Sequence, residues 1–317
     1  MPVISAAAYP QLMSAVTDSE KIVYLCGAGA SMSLGAHQLS WTKWLLAGKE
    51  YLTAAEQTEL EQKIGRWTTS ELIDAATYLL AGLKAAGNYQ NFMDQTIASV
   101  HPVNQILMEV LQKIWRAGDL ITTTNYDMLI EESVGNPGIS YTTPADILSV
   151  IRGKSPNRVI HLHGRYDKEN GVDDIIADGS QYQSILDNSG AQFIQNLLST
   201  YPIIIVGCGG TVEDPNLAGF LSFASEKLET FDIPYFYLMK KGDTAPLLPG
   251  NAVIIPYGDE YTDLPEFLKE LALLRLQRRN GLKELISVNP YRESRKATSA
   301  FGRMHFTNGF LKFIGRE

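Results

Sequence analysis

Cysteine is nearly missing from this chain: 317 residues hold two, Cys26 and Cys208. Each ends an apolar run beside glycines, where a buried, reduced thiol is the expected state. No C-x-x-C pair exists, which excludes a cysteine zinc site. Histidine is also scarce, five residues scattered along the sequence, so no structural zinc is expected. No apolar run reaches the ~18 residues of a membrane span. Residues 1–9 lack the charged start and long apolar centre of a signal peptide, which points to a cytoplasmic protein. Positive charge is in deficit: 27 Lys and Arg against 35 Asp and Glu leave a net charge of −8. Without a general basic surface, nucleic acid is not the expected main ligand and would be met only through a partner. No repeat or low-complexity stretch is present.

Hydrophobic residues make up 45% of the chain, enough for a proper core. Apolar runs at 21–26, 120–124, 158–162, 203–206, 235–239 and 253–255 read as strands. Residues 1–20 read as a leading helix, 31–46 as one helix, and 171–177 as loop and strand. From 50 to 116 every segment is helical in pattern, with segments at 52–64, 70–85, 91–100 and 102–116, the last with Pro102 in its first turn. That block is too long for a simple crossover and is expected to be an inserted helical module. Gly135–Gly138 reads as a turn. Further helices are expected at 128–133, 182–186, 192–198, 216–228 and 265–279, where Arg275, Arg278 and Arg279 read as a solvated helix end. Alternating strands and helices predict an α/β fold, a Rossmann-like doubly wound parallel sheet carrying the helical module.

Four strand ends are rich in glycine or polar residues: Gly27–Ser31, Thr122–Asp127, His161–Gly164 and Gly207–Asn216. Open parallel sheets bind ligands at the carboxyl ends of their strands, so the four are expected on one edge. Gly27, Ala28, Gly29 and Ser31 form a turn that lets backbone N–H groups approach a pyrophosphate. The spacing is not the G-x-G-x-x-G fingerprint, because Met32 occupies the sixth place. Asn125 is well suited to cap the helix after its strand. His163, just before Gly164 on that edge, is a candidate general base. His161 lies two residues earlier on the strand and reads as a packing or supporting residue. Trp41, Trp44, Trp67 and Trp115 read as core.

These motifs together resemble the sirtuins. Gly27-Ala-Gly-Ala-Ser31 is similar to the sirtuin nucleotide loop. Thr124-Asn125-Tyr126-Asp127 is similar to Thr-Gln-Asn-Ile-Asp, and His161-Leu162-His163-Gly164 to the sirtuin His-Gly. Gly207-Cys-Gly-Gly-Thr211 with Asp214-Pro215-Asn216 resembles the last glycine-rich strand end of the bacterial sirtuin-like branch, and Ile255-Pro256-Tyr257-Gly258 its closing strand. The resemblance spans roughly residues 15–275. Two departures stand out. The four-cysteine zinc module of the deacylases is missing, and Pro-Asp-Phe-Arg is replaced by Ala36-His37-Gln38-Leu39-Ser40-Trp41. Both fit the sirtuin-like NAD⁺ hydrolases of bacterial antiphage defence.

The resemblance implies a catalytic NAD-binding domain over 1–280, with the insertion at about 50–116, and a C-terminal tail at 281–317. It implies NAD⁺ as substrate, no metal, and cleavage of the nicotinamide–ribose bond to nicotinamide and ADP-ribose. Asn125 would hold the nicotinamide ribose and orient a water. Thr124, Asp127, Gly207, Gly209, Gly210, Thr211, Asp214, Asn216 and Tyr257 would contact NAD. An NAD-depleting effector needs restraint, so a homo-oligomer or a separately encoded sensor or ATPase is an expected partner. The apolar tail, with Phe301, Phe306, Phe310, Leu311, Phe313 and Ile314, is a candidate docking segment. A turnover-free NAD⁺ or ADP-ribose sensor, or a deacylase or ADP-ribosyltransferase, are the alternatives.

Overall fold

In the computed structural model, seven parallel strands form one sheet. The order is β3-β4-β2-β1-β7-β8-β9, with β1 Val23–Cys26, β2 Leu120–Thr123, β3 Gly138–Ser140, β4 Val159–His161, β7 Ile203–Val206, β8 Tyr235–Met239 and β9 Ala252–Pro256. The structure describes residues 5–37, 39–65, 68–209, 233–246, 248, 252–287, 305–307 and 310–312, the backbone alone beyond 280. The expected helix at 216–228, the expected core residue Trp67, the site residues Gly210, Thr211, Asp214 and Asn216, and the tail residues Phe301, Phe313 and Ile314 lie outside the described residues.

The central strands are buried on both faces, which is why β1, β2 and β7 are apolar or threonine-rich without alternation. The β2 threonines fit because their hydroxyls donate to the neighbouring strand: Thr122 Oγ1 to the Tyr24 carbonyl and Thr123 Oγ1 to that of Cys26, at 3.3 and 3.0 Å. One face packs under α1 Pro10–Asp18, α7 Gln105–Arg116 and the helix from Leu264, through Leu12, Val16, Val110, Ile114, Phe267 and Leu271. The other packs on α9 Pro144–Ile151 and α11 Ser189–Leu198 through Ile147, Ile151, Ile194 and Leu198. This is the doubly wound architecture, with its chain reversal between β1 and β7.

The helical module sits between β1 and β2 and has a core of its own, including Trp44, Leu60, Leu79, Leu83, Phe92 and Ile97. Its helices are α3 Trp41–Ala47, α4 Ala54–Ile64, α5 Thr69–Ala85 and α6 Tyr89–Met93, continued by a π turn over Asp94–Ala98. Thr53 and Thr68 each close a capping box, with Glu56 and Glu71 three residues on. The α7 helix, by contrast, packs against the sheet.

Several elements differ from expectation. The single helix at 31–46 is two, α2 Ala28–Leu34 and α3, separated where Gly35 takes a φ of 119°. Ser31 is therefore inside a helix. The helix expected from Pro102 begins at Gln105, because Asn104 accepts the Leu107 N–H as its cap. The turn at 135–138 runs into edge strand β3, a segment too short to show alternation. The 171–177 stretch supplies only β6 Val172–Asp173, which pairs antiparallel with β5 Tyr166–Asp167. The leading helix is only Pro10–Asp18, after a 3₁₀ turn at Ala6–Ala8. Arg275 is not solvated. It is 1% exposed, chelates Asp119, and donates to the carbonyls of Val16, Ser19 and Glu20. Asp119 also accepts the Ile22 N–H, so one buried ion pair ties α1, β1 and the last helix at the amino end of the sheet.

A second compact unit, Leu276–Glu317, contains a two-stranded hairpin of His305–Thr307 and Phe310–Lys312. No helix among the described residues is long and apolar enough to cross a membrane.

Candidate functional site

The carboxyl ends of β1, β2, β4 and β7 are adjacent on one edge of the sheet. A cleft opens beside the first three. Ala28, Thr124, Asn125, Asp127 and His163 line it, together with Leu39, Trp41, Trp44, Ile97, Tyr126 and Tyr182. Trp41, expected in the core, is only partly buried against it and walls the cleft. Trp44 is both core and wall, packing on Phe92 at 5.2 Å and facing Tyr126 at 6.0 Å between ring centroids. The Trp41 Nε1 is buried without a hydrogen-bond partner among the described residues.

The β1 turn and the β7 turn touch through backbone. Gly29 N–H donates to the Gly207 carbonyl at 2.7 Å, and Gly27 N–H to that of Val206 at 2.9 Å. A Cβ on Gly29 would stand 2.8 Å from Gly207 Cα, and one on Gly27 2.7 Å from Cys208 Cα. Both glycines are thus required by this close approach of two turns. Gly209 has open space around it.

Asn125 is the most completely anchored residue of the cleft. Its backbone N–H donates to Thr123 Oγ1 at 3.0 Å, and its carbonyl meets His161 Nδ1 at 2.9 Å. Its side-chain amide donates to the Gly27 carbonyl at 2.9 Å and to Ser31 Oγ at 2.7 Å. A carbonyl only accepts, so the group facing Gly27 must be the NH₂, which fixes the orientation of the amide. Only Oδ1 is left to act, as an acceptor. Asn125 does not take the plain role of capping the next helix; at the start of α8 Leu129–Val134 it is Asp127 whose Oδ1 accepts a backbone N–H, that of Leu129, at 3.2 Å.

The network continues from Ser31 to Asp127. Ser31 is fully buried and its hydroxyl donates to Asp127 Oδ2 at 2.7 Å. With one proton given and one accepted, that hydroxyl is engaged inside the protein rather than held out to a phosphate. Burial pushes the Asp127 carboxyl above its usual range, and the hydrogen bonds from Ser31 and Leu129 pull it partly back.

His163 is 3% exposed, and its ring meets Tyr182 edge-on with 5.8 Å between centroids. Gly164 follows at φ 74°, and a Cβ there would lie 1.8 Å from the Asp174 carbonyl oxygen. That is why a glycine follows this histidine. The chain then turns so that Ile176 N–H donates back to the His163 carbonyl at 2.8 Å, while Tyr126 Oη donates to the Ile176 carbonyl. Tyr126 is thereby tied to the segment after His163, while Tyr182 meets the His163 ring directly.

Behind the cleft, His161 and Glu131 form a buried pair through Nε2 and Oε1. Burial alone would lower the His161 pKa. The Glu131 carboxylate and the bonds to Glu131 and the Asn125 carbonyl outweigh it and raise the value. Glu131 was invisible in the sequence, where Leu129–Val134 offers no sign of which helix face meets β4. The only signal was a histidine inside an apolar strand, which must find a polar partner.

Tyr257 does not reach the cleft. It is buried in the core with Leu238, Ile255 and Phe267, at the far side of the sheet. No group of three or more His, Cys, Asp or Glu suited to a metal occurs among the described residues.

Residues 119–249 match the family model for the SIR2-like domain. The matched segment carries Thr124, Asn125, Asp127, His163 and Gly207 and leaves out the Gly27–Ser31 turn. A solved structure titled as the crystal structure of a Sir2 homolog–NAD complex is similar over 85% of this chain and 94% of that one, at 15% identity and a TM-score of 0.49.

Proposed function

With a SIR2-like domain matched at 119–249, we propose that the chain hydrolyses NAD⁺ at the nicotinamide–ribose bond, giving nicotinamide and ADP-ribose. The observation that carries the reading is that, among the described residues, every polar group of Asn125 except Oδ1 is engaged, while His163 lines the same aromatic-walled cleft.

Nicotinamide leaves as a neutral molecule, so the enzyme needs little acid assistance to expel it. It must hold the ribose, exclude bulk water and admit one water to the face opposite the leaving group. The flat walls of Trp44, Tyr126 and Tyr182 suit a planar pyridinium ring. Asn125 Oδ1 accepts a hydrogen from the ribose or from the attacking water. The C1′–N bond breaks through an oxocarbenium-like state, with its electron pair going to nicotinamide. Water oxygen bonds to C1′, and its proton passes to His163. One NAD⁺ and one water give nicotinamide, ADP-ribose and a proton.

The cellular role proposed is NAD depletion as an effector of antiphage defence, working as a homo-oligomer or with a separately encoded sensor or ATPase. The motif resemblance to that bacterial branch supports it.

The test is chromatography of purified protein incubated with NAD⁺. Free nicotinamide and ADP-ribose are expected in equal amounts, and Asn125→Ala and His163→Ala are expected to lower the rate by ~10²–10⁴ with unchanged circular dichroism. NAD⁺ that binds and is never cleaved would replace this reading with that of a sensor.

A further inference from the structure

The end of β4 and the residues just after it deliver two histidines to different places. His163 lines the cleft, whereas His161 is fully buried behind it and meets the cleft residue Asn125 through Nδ1. His161 Nδ1 faces a carbonyl, which can only accept, so that nitrogen carries a proton. Its Nε2 faces Glu131 Oε1. Glu131 is itself buried, and its Oε2 has no partner among the described residues, so His161 is the group that compensates this carboxylate. The edge strand is shaped around the pair: a Cβ on Gly138 would lie 2.2 Å from Glu131 Oε1 and 3.1 Å from the His161 ring.

We infer that the Glu131–His161 pair is a positioning device for Asn125: Glu131 fixes the imidazole, and the imidazole Nδ1–H holds the Asn125 carbonyl so that its Oδ1 points into the cleft. A cheaper way to satisfy a buried strand position would be an aliphatic residue, as at Ile160 next to it. A buried ion pair is retained here at the one place where its far end grips the residue with the single open acceptor. The charged groups around His161 are Glu131 from α8, Arg165 just beyond Gly164, and Asp127 at the end of the β2 loop. The kinetic consequence rests on the NAD⁺-hydrolase reading; the geometry does not.

Two amide substitutions separate the halves of the imidazole. His161→Asn places an N–H near the Nδ1 position and keeps the grip on Asn125. His161→Gln reaches the Nε2 position and meets Glu131 but loses that grip. Measured per folded, NAD⁺-binding site, kcat should fall by about 10-fold or more in His161→Gln and by clearly less in His161→Asn, with KM for NAD⁺ changed less than about threefold. A His161→Gln protein with parental kcat, or equal losses in both variants, overturns the inference. A second measurement needs no turnover. ¹H–¹⁵N spectra of the parent should show two slowly exchanging ring N–H signals for His161, one of which disappears in Glu131→Gln. If the parent cleaves no NAD⁺, the functional reading fails alone, and the pair is decided by these signals. A single ring N–H in the parent would sink it.

Discussion

Ser31 and Asp127 lie 96 residues apart in sequence and share a 2.7 Å hydrogen bond that joins the helix after β1 to the loop after β2. Because Ser31 Oγ also accepts from Asn125, this one hydroxyl sets the distance between the glycine turn and the residue with the open acceptor. Replacing Ser31 with Ala changes almost no volume. It leaves Asp127 Oδ2 without its donor and one Asn125 N–H without its acceptor. Ser31→Ala is therefore expected to lower stability by about 1–3 kcal/mol in urea unfolding. A loss below about 0.5 kcal/mol would show that the network is not held as described.

Gly164 and Gly171 provide a matched pair. Both have a left-handed φ, 74° and 64°, but an added Cβ meets the Asp174 backbone at Gly164 and nothing within 4 Å at Gly171. Gly171→Ala should cost about 1–2 kcal/mol, the conformational penalty alone. Gly164→Ala adds overpacking worth about 1–3 kcal/mol and displaces His163. Equal unfolding midpoints for the two variants would remove the claim that Gly164 is there for space.

The parallel core was legible because fully buried strands leave unbroken apolar runs, as in Ile22–Cys26 and Ile203–Val206. The helical module was legible from its 3.6-residue stripe, and the shared edge from four polar strand ends. What could not be read depends on contacts between distant segments. Asn125 had a local use as a cap, and only the fold shows that it is turned toward Gly27 and Ser31 instead, while Asp127 accepts the Leu129 N–H. Arg275 sat in a basic run that reads as solvated, and its burial follows from Asp119, 156 residues away. Trp41 and Trp44 carried no mark to distinguish a core face from a cleft wall. Edge strand β3 is three residues long and begins with the glycine that admits Glu131; that glycine is also the last residue of the stretch that reads as a turn.

The two thiols are expected to be inert in the folded protein. Cys26 and Cys208 are 2% and 1% exposed. Burial first, and the nearby Asp127 carboxylate second, push the Cys26 thiol up to about 12. Burial raises Cys208 as well. At pH 8 both should resist iodoacetamide until denaturant is added, then react together. Stoichiometric labelling of either in the native protein, followed by mass spectrometry, would contradict the packing of β1 against the β7 turn.

The Glu131–His161 pair should also leave a signature in stability against pH. His161 has a folded-state pKa above its ordinary value of about 6.5. A raised pKa means the folded state binds the proton more tightly than the unfolded chain. The stabilisation is thus fully present below about pH 6.5 and is lost as pH rises through the higher folded value. In Glu131→Gln the counter-charge is gone, and the buried imidazole prefers to be neutral. Acidification then works against folding, because only the unfolded chain takes up the proton readily. The difference in unfolding free energy between parent and Glu131→Gln should accordingly be larger at pH 6 than at pH 8.5, by about 1 kcal/mol or more. Asp127 also has a raised pKa, but it is common to both proteins and its contribution largely cancels. Urea titrations at the two pH values measure the gap directly. A gap that is constant, or that widens toward alkaline pH, would mean that His161 is not held as an imidazolium by Glu131.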